Sequence, residues 1–394
     1  MAQLQKIKSL VDNVLPDVVD LRHSIHENPE LALHEEDTAA LIRRTLEPTA
    51  LRLLDPFLGT DVVGMLHGDD DGRNVTLRAD IDALPLEEKT GLPYQSKRDG
   101  LMHACGHDGH TAMLLGAALV LSELRQQFAG SVRFVFQPGE EVEAAGRDLV
   151  EKGVLLDPEP DALFALHAWS GTPAGAIASK PGVMMAAADF FELRIHGKGG
   201  HGSMPEATVD PILTGARVVD GLQSVTSRRV SALEPVVVSV CRVDAGTNSN
   251  IIPDSLEMEG TVRYLKAGMG QMLRSEMEQI IRGVCDAAGA TYQFSYDEKY
   301  IPTVNDEGIV ALAREVVQRS LGPESWVDLD RPSMGGEDFS FYIKDRPGAM
   351  FRIGMGEAAP SVHNPHFDFN DDALEAGIVF LVSAALEVLS RKGK

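Results

Sequence analysis

Cysteine is scarce in this chain, with three in 394 residues: Cys105, Cys241 and Cys285. An odd number spread so widely excludes a disulfide framework and points to a reducing, cytoplasmic compartment. Cations are short as well, 36 Lys and Arg against 59 Asp and Glu, for a formal charge of -23 at pH 7. That balance excludes nucleic acid and anionic membrane as partners, since either needs clustered positive charge. Long apolar runs are also missing: "AGIVFLVSAALEVL", near the end, reads as too short for a membrane span. "MAQLQKIKSLVDNVL" places apolar residues at helical spacing broken by Lys, Asp and Asn, unlike a signal peptide. Neither H-E-x-x-H nor G-x-S-x-G occurs, so the zincin and serine-hydrolase signatures are absent.

What is there is ordinary for a folded soluble protein: 44% hydrophobic residues and length for two or three domains around a sizeable core. Up to about residue 186, helical and strand patterns alternate. "TAALIRRTLEP" and "HTAMLLGAALVLSELRQQF" have helical periodicity, the second with Asp108 or Gly109 placed to cap it. "DVVGMLHG", "NVTLRADIDALP", "GSVRFVFQPGEE" and "DALFALHAW" read as strands. This alternation predicts an α/β fold, a mostly parallel sheet flanked by helices, with ligands collecting beyond the carboxyl ends of the strands. Over 187–299 the pattern becomes a small α+β unit, βαββαβ, and beyond "IPTVND" the first pattern resumes. The expected organisation is a larger domain in two parts, 1–186 and 300–394, split by an inserted domain.

Several stretches carry chemistry. "GKGGHG", Gly197 to Gly202, fits a dinucleotide fingerprint, but Ser203, Met204 and Pro205 follow where the cofactor helix should start. In "LMHACGHDGH", an extended backbone puts Cys105 and His107 on one face, a thiolate and an imidazole at metal-ligand spacing. A buried structural thiol is the commoner fate of a lone cysteine, and His103 and His110 read as supports or caps rather than ligands. "QPGEE" offers Glu140 and Glu141 after a strand stop, where one acid can ligate a metal while the other moves a proton. His167 ends an apolar strand, where a satisfied core histidine is the default, and His363 and His366 lie in "SVHNPHFDFND".

Taken in order, "RADIDALP", "HACGHDGHTAMLLGAA", "FQPGEE", "LHAW", "GKGGHGSMPE", "GTNSNIIPD", "GTVR", "GGEDFSFY" and "VHNPHFDFND" resemble the M20 metallopeptidase family. The likeness is to its amidohydrolase branch of hippurate hydrolases, N-acyl-amino-acid amidohydrolases, N-acetyldiaminopimelate deacetylases and auxin-conjugate hydrolases. The resemblance implies a zinc-exopeptidase-like catalytic domain and a ferredoxin-like lid and dimerisation domain. It implies that Cys105, His107, Glu141, His167 and His363 bind two divalent metal ions, drawn from Zn, Mn, Co or Ni. Glu140 would be general base and acid, and Asp80 the acid that orients a ligand, with Arg78 standing where relatives carry a histidine. In the lid, His201 would stabilise the oxyanion in the partner subunit's site, while Asn250 and Arg263 would face the substrate carboxylate. Gly139 replaces a common alanine, and Glu206 stands where a second histidine often follows. The implied activity is hydrolysis of N-acyl-L-amino acids by a homodimer or dimer-based tetramer. A dipeptidase or narrow biosynthetic deacetylase is the alternative, and a non-catalytic metal-binding protein would be expected to have lost Glu140 or a ligand.

Overall fold

A computed structural model describes residues 2–391. The chain forms two compact units. The larger takes the residues up to Met184, Val304–Arg331 and those from Asp338 onward. The smaller takes Met185–Thr303 and also Pro332–Glu337, a return with no counterpart in the sequence pattern.

The larger unit is built on an eight-stranded mixed sheet. Its order is Arg52–Leu53, Val62–His67, Ser131–Gln137, Asn74–Asp80, Ala162–Trp169, Gly348–Gly354, Ile177–Ser179 and Trp326–Asp328. Asn74–Asp80 runs parallel to both its neighbours, and Gly348–Gly354 runs parallel to Ala162–Trp169. Side chains alternate across a strand, so these central strands build two different surfaces. One carries Val75, Leu77, Phe134, Phe136, Phe164 and Phe351 into the main core. It is covered by the helices His107–Glu123 and Leu374–Ser390, against which Ala2–Glu27 packs in turn. The other carries Arg78, Asp80, Gln137, His167 and Arg352, also buried.

The C-terminal apolar stretch is longer than the sequence reading allowed. Asp371–Ser390 is one 20-residue stretch apolar enough to cross a bilayer, and 72% of it is buried inside the protein. A helix apolar all round finds its partners in a core, and Ile378, Phe380 and Val382 are fully buried there.

The smaller unit is an antiparallel sheet in the order Val236–Asp244, Ser255–Tyr264, Ala187–His196 and Thr291–Tyr300. The helices Pro211–Ser224 and Gly270–Ala288 cover one face, closing a core of Phe191, Leu193, Ile195, Leu222, Met258 and Ile281. Asp210 caps the first helix by accepting from the amides of Ile212 and Leu213.

Candidate metal centre

The residues singled out by spacing meet at the carboxyl ends of the central strands. Cys105 closes a loop that turns at Gly106, in the left-handed region at φ 86, into the helix beginning at His107. A Cβ at Gly106 would lie 2.9 Å from that of Ala168, so this close approach requires glycine. Cys105 Sγ lies 3.4 Å from His167 Nε2. The donor atoms of Cys105, His107 and His167 lie within 4.8 Å of one another, as do those of Cys105, Glu141 and His363. His107, Glu140 and Glu141 form a third such group. His363 Nε2 is 3.1 Å from Glu141 Oε1. Its backbone is left-handed at φ 63, unusual for histidine, and its amide is tied to the Ala104 carbonyl at 2.8 Å. Six residues from four separate stretches of the chain thus form one cradle, with Glu140 buried among them.

The supports differ from expectation. The acid that orients His107 is Asp82: the His107 Nδ1–H donates to its backbone carbonyl at 2.9 Å and to its Oδ1 at 3.1 Å. The other Asp82 oxygen accepts the Glu141 amide at 3.0 Å. Asp80, expected in that role, instead accepts from His110 Nδ1 at 2.6 Å and from Arg78 at 2.7 Å. Asp80 and Asp82 are two apart in an extended segment and share a face, so spacing alone does not separate them. Arg78 continues to Gln137 and Asp338. His110 Nε2 accepts the Ala168 amide at 2.7 Å, which places its proton on Nδ1.

Asp108 does not cap its helix, where Gly106 holds the capping position without a side chain. The fully buried Asp108 carboxylate instead pairs with Arg22 at 3.3 Å and His26 at 2.8 Å, because burial demands charged partners. His103 is buried with neither ring nitrogen hydrogen-bonded. One contributor was absent from the sequence reading. Glu35 accepts the Gly139 amide at 3.0 Å and the Thr60 hydroxyl at 2.8 Å, fixing the left-handed turn that presents Glu140 and Glu141. No sequence signal joins positions 104 residues apart.

A family model described as Peptidase family M20/M25/M40 matches residues 76–387. The chain belongs to this family. Among M20 relatives, an N-acetylcysteine deacetylase of Bacillus subtilis is 41% identical over 374 residues, 94% of this chain and 97% of its own. An N-acyl-L-amino acid amidohydrolase of Geobacillus stearothermophilus is 44% identical over 306 residues, 77% of this chain and 82% of its own. Among solved structures, a dinuclear metal-binding M20 peptidase of Bacillus subtilis superposes with a TM-score of 0.81 at 36% identity, covering 96% of this chain and 99% of that one.

The electrostatics of this M20 cradle suit cations. Burial pushes the Cys105 thiol well above its usual range, and Glu141, Glu140 and Asp80 push it further. For His107 burial acts downward, yet Asp80 and the hydrogen bond to Asp82 carry it up to about 10. His167 is driven down to about 3 by burial and by His110. Burial alone would raise Glu141, but the hydrogen bond to His363 and the charge of His107 hold it below the carboxylate range. His107 is anchored through Nδ1 while its buried Nε2 makes no hydrogen bond and lies 3.7 Å from Asp80 Oδ2 and 4.0 Å from Glu141 Oε1. An oriented imidazole, a thiol, two further imidazoles and a carboxylate fit a divalent metal centre.

The lid residues lie within the smaller unit. His201 pairs with Ile251 across a two-stranded ribbon, and the Asn250 carbonyl accepts the Gly202 amide at 2.8 Å, so His201 and Asn250 sit at one end of that ribbon. Arg263 lies on the four-stranded sheet, its Nε donating to Thr261 at 2.9 Å and its guanidinium 5.5 Å over the Phe190 ring.

Proposed function

We propose that this protein hydrolyses the amide bond of N-acyl-L-amino acids, using two divalent ions held by Cys105, His107, Glu141, His167 and His363. The observation that carries this reading is the convergence of these donor atoms around a buried Glu140. When bound, the ions supply Lewis-acid polarisation of the amide carbonyl and acidify water. The chain's own residues do the rest. Glu140 takes a proton from the attacking water and returns it to the departing amine nitrogen. Asp82 keeps the His107 ring in the tautomer that leaves Nε2 free for an ion. Asn250 and Arg263 receive the substrate carboxylate, and His201 donates to the developing oxyanion.

The same reading includes a homodimer joined through the smaller unit, with the partner subunit's His201 completing each site. Its support is the edge strand Val236–Asp244, which leaves Val237 and Val243 exposed, together with exposed Ile212 and Leu213 on the neighbouring helix. Three unpaired cysteines are in keeping with a reducing cytoplasmic compartment. The test is to strip divalent ions, restore Zn, Mn, Co or Ni singly, and assay hippurate and a panel of N-acetyl amino acids. Metal-restored amide cleavage is expected; none across the panel would sink the proposal.

A further inference from the structure

Four arginines are at least nine-tenths buried: Arg22, Arg78, Arg133 and Arg352. Three are matched by acceptors. Arg22 meets Asp108, Asp368 and Asp371, Arg78 meets Asp80 and Asp338, and Arg133 donates to the carbonyls of Leu156 and Pro158. Arg352 has none among the described residues. Its Nε is buried and bonded to nothing, and no acid acts on it, burial being the sole influence on its pKa. Even lowered to about 10, that pKa leaves the side chain cationic at neutral pH. A desolvated cation without a counter-charge is costly, and this chain has 59 acids from which to supply one.

Its position gives the absence a meaning. Arg352 is the register partner of His167 on the adjacent parallel strand, so both side chains leave the same face side by side. The guanidinium carbon lies 3.6 Å from the centre of the Trp169 ring, and that ring is 6.1 Å from the His167 imidazole. Stacking on an indole fixes the guanidinium plane and leaves its terminal nitrogens as an oriented fork, the geometry that recognises a carboxylate. Those terminal nitrogens retain some solvent access, unlike Nε.

We propose that Arg352 and Trp169 form a subsite for a second carboxylate on the substrate, beside the metal cradle. The preferred substrates are then acidic N-acyl amino acids. The extra carboxylate comes either from a dicarboxylic acyl group or from an acidic amino-acid side chain. This rests on the amidohydrolase reading.

The experiment compares N-acetyl-leucine with N-succinyl-leucine and N-acetyl-glutamate on the metal-loaded protein. At least one acidic substrate is expected to be favoured in kcat/KM, mainly through KM, and which one identifies the source of the carboxylate. In Arg352→Met the ratio of acidic to N-acetyl-leucine kcat/KM falls by about tenfold or more, with Arg352→Lys between. In parallel, the metal-free protein is titrated with succinate and with acetate. Succinate is expected to raise the melting temperature of the wild type more than acetate does, and neither to raise that of Arg352→Met. If amides are cleaved yet acidic groups bring no advantage and the ratio is unchanged in the variants, the subsite is overturned. If no amide is cleaved but succinate binding depends on Arg352, the hydrolase reading fails and the subsite stands. Should Arg352→Met fail to fold, Arg352→Lys decides on the same ratio.

Discussion

The two faces of the central sheet come from the same four strands yet hold opposite chemistry. On one, Val75, Leu77, Phe134, Phe164 and Phe351 pack into helices. On the other, Arg78, Asp80, Gln137, His167 and Arg352 are also buried but polar. Burying apolar surface stabilises a fold without directing it to any one ligand. Burying charged groups is costly unless partners are arranged around them. The polar face therefore has the character of a functional surface, and the apolar face that of its support.

Substitutions on the two sides should separate these roles. The largest effect is expected for Glu140→Gln, with kcat lower by about 10² to 10⁴ and metal content retained; near-normal turnover would refute its role as base. On the opposite face, Phe164→Ala should cost about 3 to 5 kcal/mol of stability in denaturant unfolding, while turnover per folded molecule survives. Asp82→Ala is expected to weaken metal binding by about 10- to 100-fold in a chelator competition, more than Asp80→Ala does; the reverse order would restore Asp80 as the orienting acid. Glu35→Ala should lower kcat by on the order of tenfold with little change in KM. Glu35→Gln should recover most of it, because a carboxamide oxygen still accepts the Gly139 amide.

The smallest effect lies in the other unit, whose sheet holds a buried acid, Asp189, on its apolar side, where burial raises it to about 6. A carboxyl raised in the folded state stabilises below its unfolded pKa, and that contribution is lost as pH rises through about 6. Asp189→Asn should therefore raise the melting temperature at pH 7 and not at pH 4. A uniform shift at both pH values would point to packing rather than charge.

What could be read from sequence was what is local. Period-two and helical patterns gave the strands and helices of both units, because these depend on backbone geometry over a few residues. The extended backbone expected from Cys105 to His107 did not form: Gly106 is left-handed and His107 opens a helix, and it is this turn that brings the two donors together. Non-local choices were hidden. Nothing in "RADIDALP" tells which acid reaches His107, since Asp80 and Asp82 project alike. The capping expectation for Asp108 failed because the helix already begins at His107, with Gly106 as its cap; the Asp108 carboxylate turns instead to Arg22 and His26, on a helix more than 80 residues earlier. The partnership of Glu35 with Gly139, and the lack of any partner at Arg352, exist only in the folded arrangement.

The place of Gly348–Gly354 in the sheet bears on the order of assembly. This strand lies between Ala162–Trp169 and Ile177–Ser179, both made well before it, and the smaller unit is synthesised in the interval. A growing chain that has passed residue 303 still holds a sheet with a gap at its centre, and His363 has yet to emerge. The smaller unit has its own core and can fold during that wait. The larger one closes only when the last stretch of chain arrives, so a nascent chain cut short there forms neither a continuous sheet nor a finished cradle.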